Sequence, residues 1–406
     1  MSRHDLGPRA IAAVVMLAWL AACAPRSGSP SASTAPRQDA ATAGASGAST
    51  SPSSNALPGS TIAPTTVAGG SAVAAGEMPG SMPVPVTVTP WQGEVIGGGL
   101  RGVVLATRNY RLHSTLRDQE LQDLLPQTME SAFKHYRTAI VDLPLPTEPM
   151  RTYVFGSRSE WNRFTQARLS AEEAQKMLRL RRGAYTANGE VVLHDLGRTD
   201  TIFLAIHEGW HQYSQSVFRE SLPIWLEEAL ATYMEGHRVD GETGEVVFLP
   251  WRNLERFGEL RARARRDELI PIADLLDRPP QAFLSGSTGG LLTYYAQLWA
   301  LSQFLVNGEG GRYRGGLERL LMDAVDGSIS SRIAHATGGP RRRAFGPGAS
   351  RLVIATYFNA DFDAFVREYD AFLERIIQRG AGSAIWRGRS PLEPGAIDES
   401  FGRPRG

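Results

Sequence analysis

The sequence predicts an α+β fold, in which an N-terminal mixed α/β lobe with an antiparallel edge hairpin is followed by a mainly helical lobe. Short β-prone stretches alternate with segments of helical periodicity as far as residue 200. Beyond residue 200, helical patterns continue almost to Arg379. We therefore place an α+β lobe at 91–200 and a helical lobe at 201–380, which agrees with the roughly two domains expected from the length.

Residues 1–22 have the pattern of a secretory signal peptide. Arg3 and Arg9 precede an apolar run, 11–20, that is too short to span a bilayer comfortably. The run leads into the only cysteine of the chain, Cys23. The alternative is an ordinary signal peptide followed by an incidental cysteine, but a lone free thiol is a liability in an oxidising compartment.

The stretch Leu20-Ala21-Ala22-Cys23 resembles the lipobox of bacterial lipoproteins. The resemblance implies that Cys23 carries lipid and anchors the mature protein in the bacterial cell envelope, on the periplasmic face. Ala24 stands where some lipoproteins carry the Asp that retains them at the inner membrane, which favours the outer membrane. Since no other cysteine remains, a disulfide and a thiolate metal site are both excluded.

A flexible tether is predicted for residues 23–90. After Cys23 this segment is mostly Ser, Ala, Thr, Gly and Pro, and it contains no aromatic residue. Such a composition cannot bury enough apolar surface to offset the entropy lost on ordering. We expect folded sequence to begin near Trp91.

The first lobe alternates strands and helices. The β-prone stretches 103–105 and 110–113 precede apolar residues that recur at helical spacing between Leu121 and Ile140. A third β-prone stretch follows at 152–155, and the pattern Ser157-x-x-Glu160 then predicts the start of a helix.

A hairpin closes this lobe, and a helix ends the next. In "GAYTANGEVVLHD", Asn188-Gly189 supplies the positive-φ pair of a tight turn between two β-prone arms. The last clear helical pattern is "DFDAFVREYDAFLERII", at 361–377. The Gly-rich segment 381–406 is predicted to be a flexible tail.

Composition argues against several function classes. The formal charge is only +1, so neither a nucleic-acid footprint nor a basic membrane-binding face is expected. The sequence contains no G-x-S-x-G element and no Gly-rich phosphate loop.

The strongest chemical signal is His207-Glu208-x-x-His211, inside the apolar run "LAIHEGWHQYSQ". On a helix, residues four apart lie one turn above each other, so both imidazoles can reach one ion. Glu208 would stand beside that ion, in position to take a proton from a reacting water. Asp200 or Thr201 can cap the start of this helix. By chance alone the motif arises in roughly one protein of this size in a hundred. A third ligand is therefore needed to distinguish a zinc site from a chance occurrence.

Two adjacent glutamates are candidates for the third ligand. A catalytic zinc typically has three protein ligands, and "SLPIWLEEALATYMEG" offers Glu227 and Glu228 on the next predicted helix, with Pro223 near its first turn. Helical periodicity does not separate the two glutamates, because each has apolar neighbours one turn away.

The stretch 225–231 is similar to the glutamate-bearing segment of gluzincin metallopeptidases, and the chain resembles the bacterial peptidase-MA-like families in particular. The resemblance implies a zincin-like fold and a Zn²⁺ held by His207, His211 and Glu228. Ala229 departs from the glycine usual in these families. By the same resemblance, Tyr295 in "YAQLW" donates to an oxyanion, and the hairpin forms the edge strand along which an extended peptide is laid.

The sequence therefore predicts a lipid-anchored zinc peptidase that acts on a peptide or protein, with Glu208 and Tyr295 as its catalytic residues. The rival hypothesis is a catalytically inactive envelope lipoprotein that binds a partner or a cell-wall component through a peptidase-like fold. Neither the substrate nor the oligomeric state follows from the sequence.

Overall fold

A computed structural model of the chain describes residues 84–93, 100–179, 183–240, 245–283, 290–339 and 348–397. The predicted signal peptide, Cys23 and nearly all of the tether lie outside these residues. The strands are β1 (Thr87–Gly93), β2 (Leu100–Ala106), β3 (Tyr110–Ser114), β4 (Met150–Phe155), β5 (Tyr185–Ala187), β6 (Glu190–His194), β7 (His237–Val239) and β8 (Val246–Phe248).

The helices occupy most of the remaining described sequence. They are α1 (Gln119–Thr138), α2 (Arg158–Arg168), α3 (Ala171–Leu178), α4 (Arg198–Val217), α5 (Ile224–Met234), α6 (Leu254–Ala264), α7 (Ile272–Asp277), α8 (Gly290–Asn307), α9 (Arg314–Asp326), α10 (Ile329–Thr337), α11 (Ala349–Tyr357), α12 (Phe362–Ile377) and α13 (Ala381–Trp386). Among the described residues, no helix combines the length and the apolar character needed to cross a membrane. The mixed α and β composition agrees with the predicted fold class.

Six strands form one mixed sheet in the order β1-β2-β3-β4-β6-β5. The central pairs β3–β4 and β4–β6 are parallel, whereas β1–β2, β2–β3 and β5–β6 are antiparallel. The chain turns from β5 to β6 at Asn188 and Gly189, which both have positive φ, 54° and 72°. These are the two central residues of the predicted tight turn.

Helices cover both faces of this sheet. Tyr153 and Phe155 of β4 contact Phe164 of α2, with ring centroids 4.6 and 4.9 Å apart. Thr152, the residue before Tyr153, donates instead to Gln212 of α4. Because alternate residues of a strand point to opposite faces, α2 and α4 lie on opposite faces of the sheet.

The two predicted lobes share one hydrophobic core. Helix α4 packs against β5 and β6 of the sheet and against the helices α1 and α5. Helix α8 packs against α5 and α6 and is buried along nearly its whole length. The His-bearing helix α4 therefore lies where the sheet meets the helical region.

The folded region begins earlier than Trp91. The backbone N–H of Val84 donates to Gln127 Oε1 of α1 (2.9 Å), and β1 begins at Thr87, within the predicted tether. Val86 packs against the core, and Pro90 is tolerated because β1 is an edge strand that needs no donor on its open side. Composition alone concealed this strand, which the alternating residues Val84, Val86 and Val88 lead into.

The predicted flexible tail is folded at least as far as Ile397. Helix α13 buries Ala381, Ala384 and Ile385 against the rest of the protein. Two of the glycines that suggested flexibility, Gly388 (φ 74°) and Gly395 (φ 72°), make turns with positive φ. Residues 398–406 lie outside the described part of the chain.

The start of α4 also differs from the prediction. The helix begins at Arg198, after Gly197 (φ 88°), and no side chain caps its first turn. Thr201 accepts a hydrogen bond from the backbone N–H of Leu196 instead. By contrast, Ser157 caps α2 as the sequence predicts, and Asp361, the first residue of the last predicted helical pattern, is the N-cap of α12.

Candidate metal centre

Helix α4 presents His207 and His211 on one face, and both imidazoles are fully buried. Their Nε2 atoms are 3.2 Å apart. This is the consequence of the four-residue spacing, which places the two side chains one helical turn apart. The facing helix, α5, supplies the next element of the site.

Glu228 of α5 completes a cluster with the two histidines. Its Oε2 lies 3.4 Å from His207 Nε2 and 3.6 Å from His211 Nε2. Three ligands at about 2.0–2.2 Å from a tetrahedral zinc ion would be separated by roughly 3.3–3.6 Å. The three ligand atoms therefore have the mutual spacing that one such ion requires.

Glu227, the other candidate for the third ligand, contacts the imidazole of His211 at Nδ1, on the opposite side of the ring from Nε2. Its Oε1 lies 3.1 Å from His211 Nδ1 and also accepts a hydrogen bond from Ser214 Oγ. An acceptor at Nδ1 favours the tautomer that leaves the Nε2 lone pair free for a metal. Tertiary packing thus places the two adjacent glutamates in different positions that periodicity could not distinguish.

The carboxylate of Glu228 fits a cation. The side chain is fully buried, yet neither of its oxygens makes a hydrogen bond of normal geometry within the described structure. Burial alone raises the pKa of Glu228, but His211 and His207 outweigh that effect and hold the pKa at about 2. An ionised carboxylate without hydrogen bonds is costly to bury unless a positive charge stands beside it.

The charge of the surrounding groups points in the same direction. The buried acidic side chains around the cluster are Glu208, Glu227, Glu228 and Glu235. The buried guanidinium of Arg256 ion-pairs with Glu235. With both imidazoles neutral, as metal binding requires, acidic groups outnumber this cation, so a divalent ion would lower the electrostatic cost of the site.

Glu208 lies beside the cluster with one oxygen occupied and one free. Oε2 accepts a hydrogen bond from Thr186 Oγ1 of β5 (2.7 Å). Oε1 is buried and has no hydrogen-bond partner within the described structure. Burial raises the pKa of Glu208. A positioned carboxyl group with one free oxygen and a raised pKa is suited to general acid–base work.

Two tyrosines of α8 approach the same region. The ring of Tyr295 lies 6.2 Å from the ring of His207, nearly perpendicular to it. The hydroxyls of Tyr294 and Tyr295 are both buried without a hydrogen-bond partner within the described structure. Burial, and then the charge of Glu228, raise the pKa of both phenols, so both hydroxyls remain potential donors.

The residues behind the cluster were not predicted from the sequence. Glu235 contacts His207 Nδ1, Arg256 binds Glu235, and Thr186 binds Glu208. No spacing rule connects these residues with the His-Glu-x-x-His motif, since they come from three different elements. Of the groups that support the histidines, only Glu227 was a candidate from the sequence, because it is adjacent to Glu228.

No protein-family model, curated protein or solved structure matches this chain. A functional proposal therefore rests on the geometry of the cluster.

Proposed function

We propose that this protein is a zinc-dependent hydrolase, and specifically a gluzincin-like peptidase with a zincin-like fold that is anchored in the bacterial envelope through lipid on Cys23. One observation carries the proposal. Three ligand atoms, from His207, His211 and Glu228, converge at the spacing of a metal site, beside a glutamate with one free oxygen.

His207, His211 and Glu228 would hold the ion. When bound, Zn²⁺ supplies Lewis acidity, which polarises a carbonyl and lowers the pKa of water. The chain itself contributes the proton transfers. Glu208 Oε1 accepts a proton from the attacking water and returns it to the leaving amine, while Thr186 holds Oε2.

Tyr295 would supply the second catalytic group. Its hydroxyl lacks a partner within the described structure, and it donates to the oxygen of the scissile carbonyl as negative charge develops there. Donors aimed at that oxygen stabilise the transition state more than the ground state. The tyrosine would therefore contribute mainly to the chemical step.

The position of β5 supports a peptide as substrate. This strand ends the order of the sheet, and its Thr186 holds Glu208. An extended peptide that paired with the outer edge of β5 would lie next to the proposed base. Such strand addition uses main-chain hydrogen bonds and accepts many side chains.

The variant Glu208→Gln tests the catalytic proposal. Glutamine keeps the shape of the side chain but cannot accept the proton, so we expect hydrolysis of a peptide library to fall about 10²–10⁴-fold. Zinc content, measured by elemental analysis of the purified full chain, should stay at the wild-type level. Glu172→Gln, at an exposed residue of α3, is the control and should be fully active. Full activity of Glu208→Gln would refute the role.

A second candidate is favoured by the burial of the cluster. His207, Glu208, His211 and Glu228 all have no solvent-exposed surface. A closed site of this kind also suits a non-catalytic envelope lipoprotein that binds a partner. Chelator-sensitive cleavage of peptides by the full chain would exclude this alternative, whereas metal binding without cleavage of any peptide would favour it.

A further inference from the structure

A buried carboxylate lies directly behind His207. Glu235 follows the last residue of α5, and its Oε1 is 2.7 Å from His207 Nδ1. A carboxylate at this position requires a proton on Nδ1, since it accepts but does not donate. The Nε2 lone pair then points toward Glu228, in the orientation that metal binding needs.

Arg256 of α6 holds that carboxylate in place. Its Nη2 donates to Glu235 Oε1 (2.8 Å) and its Nε donates to Oε2 (3.1 Å), a two-point contact that fixes the plane of the carboxylate. Asn253 Nδ2 donates to Oε2 as well (2.7 Å). Glu235 therefore has little freedom to leave His207.

The same guanidinium contacts the proposed oxyanion donor. The Cζ atom of Arg256 lies 5.1 Å from the ring centroid of Tyr295 and 5.6 Å from that of Phe203. Both distances are within the range of a cation–π contact. Arg256 thus contacts Tyr295 directly, and it is connected to the candidate ligand His207 through Glu235.

A buried ion pair is not in itself evidence of a stabilising role. Taking two charges out of water often costs as much as their attraction returns, and an apolar pair of the same volume is frequently as stable. His211 shows that an arginine is not needed to place a carboxylate at Nδ1. The carboxylate there, Glu227, accepts a hydrogen bond from Ser214 instead. The Arg256–Glu235 pair is better explained by what it orients.

We propose that Arg256 and Glu235 form a positioning pair, which holds His207 in its metal-binding orientation and holds the ring of Tyr295 beside it. The inference rests on the proposed function, since it assumes that His207 binds a metal. Neither residue touches the reacting atoms, and both act through their neighbours.

Three variants of the full chain test this role: Glu235→Gln, Arg256→Lys and the double variant E235Q/R256Q. The readouts are zinc affinity, measured by competition with a chromogenic chelator, and the visible spectrum of the Co²⁺-loaded protein. We expect zinc affinity about 10–100-fold weaker in each variant, with a changed cobalt spectrum. Lysine keeps the charge of Arg256 but not its two-point contact.

The double variant guards against a failure to fold, because it removes both charges of the ion pair and leaves neither one buried without the other. The matched control is Arg332→Lys, in the Arg332–Asp323 ion pair that joins α10 to α9, and it should leave zinc affinity unchanged. Folded variants with wild-type zinc affinity and an unchanged cobalt spectrum would overturn the positioning role. A wild-type chain that binds neither metal would overturn the proposed function itself.

Discussion

At the scale of single residues, Tyr294 and Tyr295 are adjacent on α8 and both have buried hydroxyls without a partner within the described structure. Their surroundings differ. The ring of Tyr295 contacts the imidazole of His207 and the guanidinium of Arg256. The ring of Tyr294 instead stacks on Phe283, with centroids 4.8 Å apart. The contacts favour Tyr295 as the group that faces the site.

Replacing Tyr295 with phenylalanine should lower kcat for peptide hydrolysis about 10²-fold, since a donor to the developing oxyanion is lost. KM and zinc affinity should change little, because the ring and its contacts remain. Steady-state kinetics on one peptide substrate measures both constants. Tyr294→Phe is the comparison variant and should retain most of the activity. A larger loss in Tyr294→Phe than in Tyr295→Phe would reverse the assignment.

At the scale of elements, the packing of α1 on α4 depends on a glycine inside the His-Glu-x-x-His motif. A Cβ atom at Gly209 would lie 2.6 Å from the Oη of Tyr136 on α1. That hydroxyl is held in place, because it donates to the backbone carbonyl of Ile206 on α4 (2.6 Å). Gly209 therefore allows the two helices to approach closely, directly behind the candidate metal ligands.

Gly209→Ala should destabilise the fold. The steric conflict with Tyr136 costs about 1–3 kcal/mol, against a gain of about 1 kcal/mol from the better helix propensity of alanine. In a Tyr136→Phe background the conflict is removed, and the same substitution should be neutral or stabilising. Denaturant unfolding of the four proteins of this cycle measures the coupling. Strict additivity would show that the close approach does not constrain α4.

At the scale of the whole molecule, the candidate site gathers four buried glutamates, Glu208, Glu227, Glu228 and Glu235, around two histidines and one arginine. Its candidate ligands come from α4 and α5, and the other groups around them come from β5, α6 and α8. A cation bound at this position would therefore connect the sheet region with the helical region. Metal binding and global stability should be linked.

Removal of the metal should lower Tm. A ligand present at about 1,000 times its Kd stabilises the native state by roughly 4 kcal/mol, which corresponds to a shift of several degrees in a protein of this size. Differential scanning calorimetry of zinc-loaded and chelator-treated protein measures the shift. Glu228→Gln should show no dependence of Tm on zinc, whereas Glu208→Gln should keep it. Equal Tm values for loaded and treated wild-type protein would contradict the linkage.

The sequence by itself determined the features that depend on local spacing. The helical recurrence between Leu121 and Ile140, the cap at Ser157 and the Asn188-Gly189 turn each follow from the geometry of a few neighbouring residues. The proximity of His207 and His211 follows in the same way, because one turn of helix brings residues four apart together.

Tertiary structure alone decided which residues meet from distant parts of the chain. It placed Glu228 at the Nε2 atoms and Glu227 behind His211, a distinction that rests on how α5 packs against α4. It brought Arg256 and Glu235 behind His207, and it ordered β1 and α13 in segments whose composition suggested flexibility. Such contacts depend on which surfaces pack together. A local pattern of residues does not specify the distant residues that it will contact.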